Sequence, residues 1–166
     1  MNTKIAGAVA LVLFGVAASA NAATDTKNFN VTLTITSTCD IHTGAATDVA
    51  FGSVASTAVN TDATGNLIVN CTPNTAYSIG LGFGLNGSDV NTRAMKSGAV
   101  TVPYQLYKAS GRTAADVWGT TIGAGGNVLA GTGTGANQNV PVYGRVPSAN
   151  FAAGTYTDTV VATVTY

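Results

Sequence analysis

Apolar and polar residues alternate through residues 29–36, with Phe29, Val31, Leu33 and Ile35 on one side and Asn30, Thr32, Thr34 and Thr36 on the other. A period of two marks a half-buried β-strand. A second such stretch covers residues 155–166, where Tyr156, Val160, Ala162, Val164 and Tyr166 share one face. Between them the pattern predicts short strands punctuated by glycine and polar turns. Residues 48–54 and 67–71 are apolar runs, separated by a Thr/Asn/Asp/Gly stretch at 57–65 that reads as a loop. In residues 76–85, Tyr77, Ile79, Leu81, Phe83 and Leu85 alternate with Ser and Gly, which predicts a strand closely packed on its small-residue face. Asn86-Gly87 is a turn signal.

Further along, residues 102–107 read as one strand, followed by a turn at Ser110-Gly111-Arg112 and a strand around Val117-Trp118-Gly119. Residues 123–135 hold six Gly and predict a loop with a short strand at Val128-Leu129. Residues 140–146 form another strand, whose Pro141 places that end at an edge or bulge. Residues 147–154 connect it to the last. Seven or more short strands at this spacing predict an all-β sandwich, with a closed barrel as the alternative.

The first 22 residues change what counts as the folded molecule. Lys4, an apolar run at 5–18 and the ending Ala20-Asn21-Ala22 fit a secretory signal peptide, with Ala23 expected to begin the mature chain. About 14 apolar residues fall short of the roughly 20 that a membrane-spanning helix needs. Cleavage leaves 144 of 166 residues, enough for one domain with a single core.

Composition agrees with strands. All seven acidic residues are Asp, there is no Glu, and charged side chains make up 8% of the chain. Soluble monomer surfaces usually carry roughly 25–35% charge. Either neighbours cover much of this surface, or Thr, Ser and Asn keep a secreted protein soluble. Without Lys4 the mature chain has six basic side chains against seven Asp, and none of the basic ones cluster. That excludes nucleic acid as a partner, because neutralising phosphates needs clustered Lys and Arg.

Cys39 and Cys71 are the only cysteines, 32 positions apart. In an exported chain they predict an intramolecular disulfide tying the end of the first strand to the end of residues 66–70. A zinc site lacks ligands, since His42 is the only histidine. Catalytic patterns such as G-x-S-x-G and H-E-x-x-H are missing. The run Gly131-Thr132-Gly133-Thr134-Gly135 has no Lys after it and no helix to follow, so it is not a phosphate loop. Nothing here calls for an enzyme, a cofactor or a metal. An exported, weakly charged β protein with a strand pattern towards both ends points to assembly.

The alternating N-terminal stretch leading to a cysteine, Val102-Pro103-Tyr104-Gln105-Leu106-Tyr107, Arg112, Trp118-Gly119, the glycine run at 131–135, Pro141-Val142-Tyr143-Gly144, Val146-Pro147 and the close Gly154-x-Tyr156-x-Asp158-x-Val160 running to Tyr166 carry a resemblance. Together they resemble the spore coat U domain and, more narrowly, major pilins of the archaic (Csu-type) chaperone-usher pathway. The resemblance implies an immunoglobulin-like sandwich that lacks one strand and is completed by a donor strand from a neighbouring subunit. It implies residues 23–36 as the donor, with Phe29, Val31, Leu33 and Ile35 as plugs, and residues 37–166 as the pilin domain. The acceptor groove, which also meets a periplasmic chaperone, would be edged by Val160, Ala162, Val164 and Tyr166. The implied partners are further pilin subunits, that chaperone and an outer-membrane usher. The implied product is an extracellular fibre for surface attachment or biofilm formation. From the residues alone, 29–36 read in preference as the first strand of their own domain.

A different class of function also fits the sequence. In a tip adhesin or carbohydrate-binding lectin, Trp118 with Tyr104 or Tyr107 would stack on a sugar. A tip adhesin is expected to need a further domain, for which 144 residues leave no room. A spore or cyst coat protein would use the same domain without a filament.

Overall fold

The computed structural model describes residues 21–42 and 46–166, and the chain divides into two compact units, Met1–Thr34 and Ile35–Tyr166. The expected leader lies outside the described residues up to residue 20. Residues 21–34 of the first unit form no strand or helix, and Phe29, Val31 and Leu33 are each more than 80% exposed (83%, 86% and 84%). Ile35, which opens the second unit, is exposed as well. The strand predicted over 29–36 is thus not formed. Its side chains alternate correctly, but a strand exists only when its N–H and C=O groups find a ladder.

The second unit is all-β, with no α-helix among the described residues. Its strands are β1 (Cys39–Asp40), β2 (Val59–Cys71), β3 (Ala76–Leu81), β4 (Ala94–Ser97), β5 (Val100–Pro103), β6 (Gln105–Tyr107), β7 (Leu129–Thr132), β8 (Gln138–Ser148) and β9 (Ala162–Thr165), with a 3-10 turn at Ala114–Asp116. They form a four-stranded sheet in the order β1-β2-β8-β6, a three-stranded sheet β7-β3-β9 and a hairpin β4-β5. All pairings are antiparallel. A closed barrel is ruled out, because β7 and β9 are the free ends of their sheet.

The backbone of the fold is the β2–β8 ladder, which pairs Val59 with Ser148 at one end and Val69 with Gln138 at the other. On β8, Val140, Val142, Gly144 and Val146 point inward and are buried, while Pro141, Tyr143, Arg145 and Pro147 alternate outward. Pro141 lies where β8 pairs only with β2, before β6 joins at residues 143–145, so its missing N–H breaks no ladder. The loop expected at 57–65 is a correction: Val59 to Gly65 belong to β2. Thr is a good strand former, and cross-strand Arg145 grips Asp62 through two hydrogen bonds of 2.7 and 2.9 Å.

The core closes around Trp118, fully buried, with Val69, Ile79, Leu81, Leu106, Val140 and Val142. The Trp118 indole N–H donates to the Ile79 carbonyl at 2.7 Å, and its backbone N–H to Leu106 at 2.9 Å. Residues 117–119 are not a strand beyond a single bridge from Val117 to Tyr107. The strand expected over 102–107 is two, because its partner changes at Tyr104: β5 pairs with β4, in whose register the Tyr104 N–H still bonds the Arg93 carbonyl at 3.0 Å, and β6 pairs with β8. The small-residue face of β3 is closely packed as expected: a side chain on Gly80 would meet the Gly119 carbonyl at 3.3 Å. Its apolar face holds only to Leu81, since Phe83 and Leu85 lie beyond the strand and are exposed.

Candidate functional site

Along one seam the two sheets do not meet. One wall of the opening is residues 46–51. Thr47 exchanges two backbone hydrogen bonds with Asn66 on the free edge of β2, at 2.9 and 3.0 Å, and Val49 and Phe51 then lie against the inner face of the sheet. They fit because Gly65 and Gly144 lack side chains; a Cβ on Gly144 would fall 2.5 Å from Val49 and 2.9 Å from Phe51. The opposite wall is the run 156–162 leading into β9. Leu81, Tyr104, Leu106, Val142, Met95 and Val102 floor the space between.

Two adjoining cavities, about 700 and 630 Å³, share Val49, Ala50, Phe51, Met95 and Tyr156, so the opening is one continuous groove. Its end towards residues 52–56 and 149–155 has the larger volume. On the far side of β9, away from β3, no strand pairs with it among the described residues. The groove therefore combines an apolar floor with an unpaired strand edge.

The wall at 156–162 carries one charged side chain. Asp158 accepts from the Leu85 N–H (2.8 Å), the Asn86 amide (3.0 Å) and the Tyr104 hydroxyl (2.7 Å). Burial, with this hydrogen bond to a carboxylate, pushes the Tyr104 hydroxyl well above the usual tyrosine range. Behind it Arg93 is fully buried, which lowers its pKa through loss of solvation. Its guanidinium is satisfied by the carbonyls of Gly82, Val90, Leu81 and Trp118 and by the Gln105 side chain, at 2.6–3.2 Å. Arg93, Gln105 and this role of Asp158 were not anticipated. The available signal was an acid at inward parity in the series 156, 158, 160, 162, 164.

The residues singled out from the sequence fall in distinct places. Cys39 and Cys71 are joined, with a Cα–Cα distance of 4.1 Å, and pair across β1 and β2. Val160, Ala162 and Val164 are half-buried and pack against the core, whereas Tyr166 is exposed. The strand expected from 155 is regular only over Ala162–Thr165, because Thr157 pairs instead with Lys96 of β4. Of the aromatic residues considered for sugar stacking, Trp118 and Tyr104 are core residues; stacking needs an open ring face, which neither has. Tyr107 is half-buried, opposite Tyr143, over whose ring the Arg112 guanidinium lies at 5.4 Å. The glycine run is partly strand: β7 passes through Gly131, where a side chain would collide with the Tyr77 ring. His42 is an exposed loop residue beside Asp40. No cluster of three or more His, Cys, Asp or Glu forms a metal site among the described residues.

The chain is similar to known proteins in sequence and in fold. The Spore Coat Protein U domain family model matches residues 25–163. Protein U of Myxococcus xanthus is 37% identical over 181 aligned positions, which cover 100% of this chain and 98% of the relative. Among solved structures, the chain is similar to one from the CsuC-CsuE chaperone-tip adhesion subunit pre-assembly complex of the archaic chaperone-usher Csu pili of Acinetobacter baumannii. That likeness has a TM-score of 0.56 and 25% identity, and covers 80% of this chain but 40% of the solved one. The family expected from the spread of residues between Phe29 and Tyr166 is the one whose model matches, and the chain belongs to the Spore Coat Protein U domain family.

Proposed function

We propose that this protein is a structural subunit of an extracellular pilus-type fibre, built by donor-strand complementation. The carrying observation is the groove between residues 46–51 and 156–162, apolar along its floor and open along the β9 edge. A strand laid there would satisfy the edge's backbone groups and put alternate side chains into the floor. Phe29, Val31, Leu33 and Ile35 have the required period of two, and all four are exposed in the chain itself. In this reading residues 1–22 are removed on export, 23–36 are the donor, and 37–166 are the acceptor domain. Val160, Ala162, Val164 and Tyr166 edge the groove.

An unfilled groove is an aggregation hazard, so the subunit needs a periplasmic chaperone that occupies it before delivery to an outer-membrane usher. The likeness to a chain from a chaperone–subunit complex supports that order. The fibre serves surface attachment or biofilm formation, and the role is structural, not enzymatic.

Co-expression with a periplasmic chaperone, then chaperone removal, tests the reading. Ladders of heat-labile multimers by size exclusion, and fibres by electron microscopy, are expected. A long-lived monomer with its own residues 29–35 lodged in its own groove would overturn it.

A further inference from the structure

The groove wall changes hydrogen-bonding partner midway. At Thr157 its backbone exchanges two bonds with Lys96 of β4, at 2.9 and 3.2 Å. From Val161, whose carbonyl accepts from the Gly82 N–H at 2.9 Å, it runs along β3 instead. Residues 158–160 lie between these anchors, and among the described residues none of them makes a backbone hydrogen bond.

At that gap sits the Asp158 side chain, and both its oxygens are used. Oδ1 takes the Leu85 N–H and the Asn86 amide, and Oδ2 takes the Tyr104 hydroxyl. Room for the carboxylate exists because Gly84 has no side chain: with φ at +84° it turns there, and a Cβ would fall on Oδ2. Tyr104 is tied through its own N–H to the Arg93 carbonyl, and Arg93 through its guanidinium to Trp118 at the centre of the core. The wall is thus anchored to the core by side chains at the point where its backbone is not.

Asp158 also has the parity of Tyr156, Val160 and Ala162, so it lines the groove. An apolar residue there would give a guest strand more surface to bury. A carboxylate gives less, and three hydrogen bonds keep it satisfied.

We propose that Asp158 is a positioning residue for strand uptake, holding residues 158–160 at the spacing an incoming strand needs in place of backbone pairing. This rests on the strand-accepting reading. It assigns the speed of uptake to a wall that is in place before the guest arrives.

The test uses the full chain carrying Leu33→Asp, so that it does not act as a donor, and a fluorescein-labelled peptide of residues 27–36. Association and dissociation are followed by anisotropy, alongside thermal melting. Hydrogen bonds to a charged group are worth enough that Asp158→Ala and Tyr104→Phe are expected to slow peptide association by about 10- to 100-fold. Asp158→Asn, which keeps an acceptor for Leu85, falls between. Val69→Ala, a core loss on β2, lowers the melting temperature but leaves association unchanged.

Asp158→Ala taking up peptide at the parent rate overturns the proposal. So does Val69→Ala slowing uptake as much as Asp158→Ala at an equal loss of melting temperature. If Asp158→Ala does not fold, Asp158→Asn and Tyr104→Phe decide by the same comparison. A parent that takes up no peptide at any concentration overturns the strand-accepting reading itself.

Discussion

Leu33→Asp separates the two halves of the proposed assembly step. Leu33 is 84% exposed in the chain, so the substitution should leave the domain's own stability unchanged within about 0.5 kcal/mol. In a neighbour's groove the same side chain would face an apolar floor. Losing the leucine's burial forfeits about 1.5–3 kcal/mol. The carboxylate must also be protonated or desolvated. Protonating an ordinary Asp at pH 7 costs about 4 kcal/mol, which caps this part, because neutralisation is the cheaper route. Together these weaken donation by about 6–7 kcal/mol, or roughly four to five powers of ten.

The sign with pH follows. A buried carboxyl has a raised pKa, so the protonation cost fades as pH falls towards about 4 and leaves only the lost leucine contacts. The assay mixes tagged variant and wild-type subunits released from chaperone and reads multimers by gel ladder and electron microscopy. Leu33→Asp alone should form no fibres at pH 7, should accept the wild-type arm normally, and should regain part of its donor activity at pH 4. Wild-type fibre yield from the variant, or loss of acceptance in a folded variant, would refute the donor assignment.

Other outcomes can be stated from the same geometry. Arg93→Met removes a buried cation and strands the carbonyls of Leu81, Gly82 and Trp118; unfolding in urea should show a loss of about 3–5 kcal/mol. Cys71→Ser opens a loop of 32 residues and should cost about 3–4 kcal/mol, matched by reduction of the wild type in the same melt. The Arg145 hydrogen bond, with help from Arg112, holds the Asp62 carboxyl below its ordinary 3.8. That contribution is complete above the ordinary value and is lost as pH falls through the depressed one. Asp62→Asn should therefore lower stability modestly at neutral pH, where the ion pair is complete, and converge on the wild type below the depressed value, so that the acid limb is flatter in the variant, read from denaturation midpoints.

How legible the fold was depends on what each strand packs against. β8 and β3 could be read directly, because Val140, Val142, Val146, Tyr77, Ile79 and Leu81 alternate against a core that accepts large side chains. The first half of β2 could not. Its inward positions Thr61, Ala63 and Gly65 are small because Val49 crosses over Gly65, so no apolar period is left to see. The break at Tyr104 was hidden for a different reason: it depends on which strand pairs on either side, β4 before it and β8 after it, and no local pattern carries that. Trp118 illustrates a third limit, since a pattern shows that an aromatic ring is present but not which way it faces. The groove was legible only as half a site. The apolar parity of 160, 162 and 164 was visible, but the wall at 46–51 depends on two glycines on separate strands, and the Asp158 anchor on Leu85, 73 residues earlier.

A strand edge that is to receive a guest cannot use its outward N–H and C=O groups to hold itself in place, because those groups must stay free for the guest. Its fixing has to come from the other edge and from side chains. For β9 and the run that leads into it, backbone pairing comes from the short ladder to β3, from Ala162 to Thr165, the Gly82 N–H bond to the Val161 carbonyl and a single bridge at Thr157. A four-residue ladder with a three-residue gap behind it is weak on its own; local opening is expected wherever buried contacts and hydrogen bonds are few. Side-chain anchoring resolves this without consuming the free edge, since Asp158 and Tyr104 reach across the floor and not along the rim. The buried arginine then has a reason to be there. A hydrophobic residue at 93 would fill the space, but it would leave the carbonyls of Leu81, Gly82 and Trp118 unpaired beneath the loop that supplies the Leu85 N–H. Arg93 and Asp158 hold that loop from its two sides, and the loop in turn holds the wall.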